Sequence, residues 1–208
     1  YDEESASDYV RLHHGGIVHG LQVLSEDSRC EPLSYYGRTS GIGLALISLG
    51  TEPGVKVGVV GMGAATVAAY GGKGNVFRFY EINPAIVPLA QKQFTYMSDM
   101  EERGGKIEIV MGDARLSLER EAPQNFNVLL LDAFSGDSVP MHLLTLEAFQ
   151  IYAKHMRTDG IIAVHVSNRY LELAPDDPSR AALRTQLTAH LATRTDAVLL
   201  AADYDEVV

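Results

Sequence analysis

Residues 55–66 read Val-Lys-Val-Gly-Val-Val-Gly-Met-Gly-Ala-Ala-Thr, an apolar run that breaks into Gly61-Met62-Gly63 and then into small residues. A run of this length, apolar and β-branched, predicts a short strand over 55–60 buried on both faces. The two glycines predict a tight turn with close backbone approach, and the small residues after them predict a helix over 64–70. Downstream the pattern recurs, with strands expected at 76–82, 106–111, 128–131, 160–166 and 197–201. Helices are expected over 85–97 (Pro84 at its start), after Asp113, over 143–156 and over 180–193. This alternation predicts an α/β, Rossmann-like doubly wound parallel sheet with helices on both faces.

Upstream, residues 9–24 read as two short strands around Gly15-Gly16, a hairpin signal. Ser25 to Pro32 is a polar loop, and Ser40 to Leu49 is a small apolar helix ending at Gly50. The expected organisation is therefore a β-hairpin appendage with its connecting helix over 1–50, followed by the main domain over 51–208.

Composition narrows the function classes. The chain has 208 residues, 46% hydrophobic and 21% charged, which suits one globular unit with a real core. It holds no run of about eighteen apolar residues, the length that would span a membrane. Net charge is −10, from 27 acids against 17 bases, so nucleic acid is an unfavourable partner. A cationic small molecule would be electrostatically welcome, although the same charge also serves solubility. The lone Cys30 excludes an internal disulfide and a cysteine-based zinc cluster, and the expected location is cytoplasmic. The start at Tyr1-Asp-Glu-Glu and the acidic end at residues 203–208 read as a domain cut from something longer.

In sheets of this kind ligands bind beyond the carboxyl ends of the strands, where the strand order reverses. The stretch from Val55 to Asp137 supplies that edge. Gly61 and Gly63 follow the first strand. Glu81, ending the second, can accept bonds from both hydroxyls of a ribose; its plain alternative is an exposed surface acid. Gly112-Asp113-Ala114 follows the third, where Asp113 can take an adenine amino group while the neighbouring Ala114 amide addresses the ring. Asp113 also suits a helix N-cap, and both roles can hold together. Leu131-Asp132-Ala133-Phe134 ends the fourth and places Asp132 where a transferred group would sit. A nicotinamide-dinucleotide reading uses the glycine turn and Glu81 but has no use for Asp113 or Asp132. An adenosyl-sulfonium ligand uses all of them.

The run Gly61 to Tyr70, with Tyr80-Glu81-Ile82-Asn83-Pro84, Gly112-Asp113-Ala114 and Leu131-Asp132-Ala133-Phe134, resembles the spermidine synthase (polyamine aminopropyltransferase) family. The likeness is to its divergent branch, often fused to membrane-transporter-like segments, and covers roughly residues 12–200. His19-Gly20-Leu21-Gln22 and Tyr35-Tyr36-Gly37 fall where that family has its hairpin and substrate-gate motifs. The resemblance implies a fold of the class I S-adenosylmethionine-dependent transferase type. It implies Gln22 near the donor, Glu81 on ribose, Asp113 on adenine, and Asp132 as the base that strips a proton from an attacking amine. Tyr35 and Tyr36 can wall the acceptor pocket. Three departures stand out. The turn at 61–66 holds no acid, where the family has one that contacts the donor's aminopropyl nitrogen. The second Asp expected three residues after Asp132 is absent, with Asp137 lying five residues on. The hairpin's Asp-Gly is replaced by His19-Gly20.

The co-substrate implied is decarboxylated S-adenosylmethionine or S-adenosylmethionine itself, with no metal, and the acceptor a small cationic amine. Fusion to a membrane segment outside this chain and a homodimer both stay open. Methyl transfer, or a non-catalytic domain sensing an adenosyl ligand or polyamine, are the rival readings. Among other polar residues, His13 and His14 point to opposite faces of a strand and so do not simply converge on a metal. His142 can line the acceptor pocket or cap a helix. His165 reads as a satisfied core imidazole, Asn168 as a site residue past the fifth strand, and Ser135 shows no relay for nucleophilic hydrolysis.

Overall fold

The computed structural model describes residues 9–14, 17–50, 53–133, 140–165 and 198–202. The expected helix over 180–193 and residues Ser135, Asp137 and Asn168 lie outside them.

Strands β1 (Tyr9–His14) and β2 (Ile17–Val23) form an antiparallel hairpin. Helix α1 (Gly41–Ser48) follows, its amino end capped by the Ser40 hydroxyl, which accepts from the Gly43 amide at 3.0 Å. The main sheet contains β3 (Lys56–Val60), β4 (Val76–Glu81), β5 (Lys106–Met111), β6 (Phe126–Leu131), β7 (Met156–His165) and β8 (Val198–Ala202). All its pairings are parallel, in the order β5-β4-β3-β6-β7-β8. The chain runs outward from β3 to β5, then restarts at β6 on the other side of β3. The gap above β3 and β6 is the topological switch point.

Helices cover both faces of the sheet. Helices α2 (Ile86–Gln93) and α3 (Tyr96–Glu102) join α1 on one face, where Ala45, Leu46, Ala90, Tyr96 and Met100 pack with Val57, Val59, Phe77 and Phe79. Leu12 and Tyr36 enter this same core, so hairpin and sheet share it. On the opposite face α4 (Ala114–Arg120) and α5 (Leu146–Lys154) bury Leu118, Phe149 and Tyr152 against Val60, Tyr80, Leu129 and Leu131. The doubly wound α/β architecture expected from the alternation is the one found.

Several local expectations change. Residues 64–70 do not form an α-helix: Ala65 is left-handed (φ 59°), and Thr66–Tyr70 make a five-residue 3-10 turn ended by Gly71. The reason is packing. Ala64 lies against Gly20 of the hairpin, where an added Cβ would fall 2.2 Å from the Ala64 Cβ. The turn's last carbonyls are taken by the Arg103 guanidinium, which donates to Ala68 (3.2 Å), Ala69 (3.3 Å) and Gly71 (3.1 Å). The helix expected over 85–97 is two helices, α2 and α3, with Phe94 extended between them. There the Thr95 amide donates to the Gln22 carboxamide oxygen (2.9 Å) instead of continuing the first helix. The helix expected over 143–156 is α5 alone, capped by Thr145 and preceded by a 3-10 turn at Met141–Leu143.

Candidate active site

A cleft of about 630 Å³ opens above the carboxyl ends of β3, β4, β5 and β6. Its walls bring together the glycine turn, Glu81, Asp113 and Asp132, with Tyr35 and Tyr36 from the segment after the hairpin and His142 from the turn before α5. No Lys or Arg lines it among the described residues, so three carboxylates set its electrostatic character.

The glycine turn is built by backbone necessity. Gly61 has φ +90°, and a Cβ there would fall 2.4 Å from the Asp132 carbonyl oxygen. Only a residue without a side chain lets the ends of β3 and β6 meet this closely. Gly63 (φ +51°) likewise passes the His19 carbonyl, which a Cβ would approach to 2.6 Å. This second contact seats the hairpin directly on the turn.

Glu81 is 7% exposed and ties two loops together. One oxygen accepts from the Met62 amide (3.0 Å) and the other from the Asn83 amide (2.8 Å). A carboxylate has about four acceptor positions, so capacity for a diol remains after these two bonds. Asp113 caps α4, accepting from the Leu116 amide at 2.9 Å, and its other oxygen meets His142 Nε2 at 2.9 Å. Partial burial works to raise the Asp113 pKa, but the Leu116 amide and His142 outweigh it and hold the carboxyl below its ordinary value. Ala114, the first residue of α4, also lines the cleft.

Asp132 is buried like Glu81 and is held by side chains at both oxygens. One oxygen accepts from the Tyr36 hydroxyl and the other lies 2.5 Å from His165 Nδ1. Tyr36 is carried on the 3-10 turn Ser34–Tyr36, and its carbonyl accepts from the Tyr70 hydroxyl at 2.5 Å. Burial first, and the Asp132 charge second, push the Tyr36 pKa well above that of a free phenol, so it stays protonated and donates. Tyr35 lies against both partners, with ring centroids 4.3 Å from Tyr36 and 4.3 Å from His165.

The structure therefore brings Gly61, Gly63, Glu81, Asp113, Ala114, Asp132, Tyr35 and Tyr36 to one cleft. It does not bring Gln22 there. That side chain is fully buried, donating to the Arg29 carbonyl (2.8 Å) and Thr95 Oγ1 (2.7 Å) while accepting from the Thr95 amide. Its bonds fasten the hairpin to the break between α2 and α3. Asp137 lies outside the described residues. His165 is not merely a core imidazole, since it contacts the central carboxylate. The sign of this lay in the strand register: Leu131 pairs with Val164, so the next step sets Asp132 beside His165. His142 reaches Asp113, and His19 lines the cleft beneath the glycine turn.

The chain is similar to known proteins in part of its sequence and in its fold. No family model matches it. It is 28% identical over 87 residues to a polyamine aminopropyltransferase of Vibrio vulnificus, a match covering 41% of this chain and 27% of that protein. In fold it is similar to a protein described as a probable spermidine synthase from Corynebacterium glutamicum. That superposition has a TM-score of 0.57 at 20% identity, over 76% of this chain and 56% of the other. The chain thus matches well under two thirds of either relative's length. Over the matched stretch its sequence is similar to that of a polyamine aminopropyltransferase, and its fold is similar to that of a probable spermidine synthase.

Proposed function

We propose that this chain is a transferase domain that moves an aminopropyl group from decarboxylated S-adenosylmethionine to a small amine. The observation that carries the reading is the placement of Asp132. It is a buried carboxylate at the switch point, oriented through both oxygens, in a cleft whose two other acids stand at the ends of β4 and β5. Glu81 would take the ribose hydroxyls and Asp113 with Ala114 the adenine, while Tyr35 and Tyr36 would wall the acceptor side.

The chemistry follows from the charges. An acceptor amine arrives as an ammonium with no lone pair. Asp132 accepts one of its protons, becoming a neutral carboxyl, and the freed nitrogen pair attacks the carbon bound to the donor sulfonium. The new C–N bond forms as the C–S bond breaks, and its electron pair neutralises the sulfur, which leaves as a thioether. The product nitrogen is again cationic. Orientation in the cleft and its negative potential supply most of the acceleration. The likeness to a polyamine aminopropyltransferase over 87 residues supports this class of donor and acceptor.

One observation favours methyl transfer from S-adenosylmethionine instead: residues 61–66 carry no acid to hold an aminopropyl ammonium. Calorimetry with S-adenosylmethionine, its decarboxylated form and methylthioadenosine separates the two. Mass spectrometry of products from a panel of di- and polyamines then identifies the transferred group. The expected result is preference for the decarboxylated donor, with Asp132→Asn abolishing turnover while sparing donor affinity. Preference for the carboxylated donor sinks the aminopropyl reading, and normal activity in Asp132→Asn removes Asp132 as the proton acceptor.

A further inference from the structure

His165 stands one register step beyond the Leu131–Val164 pair, at the end of β7, and does not line the cleft. Its imidazole is buried, with Nδ1 2.5 Å from Asp132 Oδ1. Two lone pairs facing each other at that distance would repel, so against an ionised Asp132 the ring nitrogen must be the one bearing hydrogen. That fixes the tautomer of the neutral ring, with Nδ1–H donating to the carboxylate and Nε2 the acceptor. The ring is held in turn by Tyr35, whose ring centroid lies 4.3 Å from its own with the two planes tilted by 32°. Tyr36 holds the opposite carboxylate oxygen. An aspartate at a strand end otherwise has several open χ rotamers; donors at both oxygens select one.

We propose that His165 is a positioning residue for the proton-accepting carboxylate. Through Nδ1–H···Oδ1 it locks the Asp132 rotamer so that the carboxylate's remaining lone pairs are presented to the acceptor ammonium. The inference rests on the role given to Asp132 above. The proton balance is unchanged by it: the ammonium gives one proton to Asp132, and the imidazole neither gains nor loses one in the step. His165 acts on the rate through the orientation of another group, and donor binding does not depend on it.

The test uses the position of the donated hydrogen. Asn carries its amide nitrogen directly on Cγ, as histidine carries Nδ1, whereas Leu has no donor. In His165→Leu, kcat should fall by about 10- to 100-fold, the range found when a supporting contact to a functional group is lost. The KM and calorimetric affinity for the donor should stay near wild type. His165→Asn should recover most of the lost rate. An unchanged kcat in His165→Leu, or Asn performing no better than Leu at equal folded content, overturns the proposal.

A second measurement does not depend on turnover or on the Leu variant folding. A short N–H···O⁻ bond gives a far-downfield imidazole proton in the NMR spectrum of the intact wild-type chain. That signal should be absent from His165→Asn and should move upfield in Asp132→Asn. Failure to find it in the wild type, or its persistence unmoved in Asp132→Asn, also overturns the proposal. If the wild type transfers no group to any amine while the signal behaves as expected, it is the proposed function that fails, and the Asp132–His165 contact stands.

Discussion

The site depends at single-residue scale on a glycine that no other residue can replace. Gly61 combines φ +90° with a Cβ position only 2.4 Å from the Asp132 carbonyl oxygen, an atom of the backbone that carries the proposed proton acceptor. Gly61→Ala therefore meets both backbone strain and a clash that no side-chain rotation relieves. Strain of this sort costs about 1–3 kcal/mol, and relief of the clash must push the ends of β3 and β6 apart. Urea denaturation should show a lowered midpoint, and the folded variant should lose kcat more than donor affinity because Asp132 moves relative to Tyr36 and His165. An alanine variant with wild-type midpoint and kcat would mean that the turn carries neither constraint. The strand-end acids were legible from residues alone, since each ends an apolar run where the doubly wound sheet gathers its ligands. Their pairings with histidines were not, although His142 does line the cleft as one of its two readings expected. His165 acquires its meaning from the β6–β7 register and His142 from a turn that folds back on Asp113, and neither pairing is local in sequence.

Elements were legible where periodicity decides them and obscure where tertiary contacts do. The central strands announced themselves by β-branched and aliphatic runs such as Val128–Leu131. The break between α2 and α3 did not, because its cause is Gln22, 73 residues away from Thr95 along the chain. The 3-10 turn at Thr66–Tyr70 was hidden for the same reason: the hairpin and Arg103 jointly set it. Gln22 is where resemblance and geometry part. Family likeness puts it near the donor, yet its carboxamide is occupied in joining β2 to the α2–α3 break. Gln22→Leu would leave the Thr95 amide and the Arg29 carbonyl without their partner in a buried place, at about 1–3 kcal/mol for each such group. Thermal unfolding should occur at markedly lower temperature, while calorimetry below that transition should find donor affinity close to wild type. A large loss of donor affinity with stability intact would return Gln22 to the binding site.

At the scale of the whole molecule, the net charge of −10 and the cleft without Lys or Arg among its described lining residues point the same way. A negative field that narrows into a cleft concentrates cations at its mouth and raises their association rate. Glu81, Asp113 and Asp132 are fixed by hydrogen bonds from the protein, so this field is preorganised instead of being assembled on binding. Screening separates this contribution from the contacts inside the site. The Debye length falls from about 30 Å at 0.01 M salt to about 8 Å at 0.15 M, which removes long-range attraction but leaves buried bonds nearly intact. For the proposed reaction, kcat/KM measured against the acceptor should drop several-fold over that range of salt, more steeply for a triamine than for a monoamine. The rate at saturating acceptor should change little, because Asp132 is enclosed by Tyr36 and His165 and not by solvent. Equal salt slopes for mono- and triamines would separate the surface charge from substrate capture and leave it only a role in solubility.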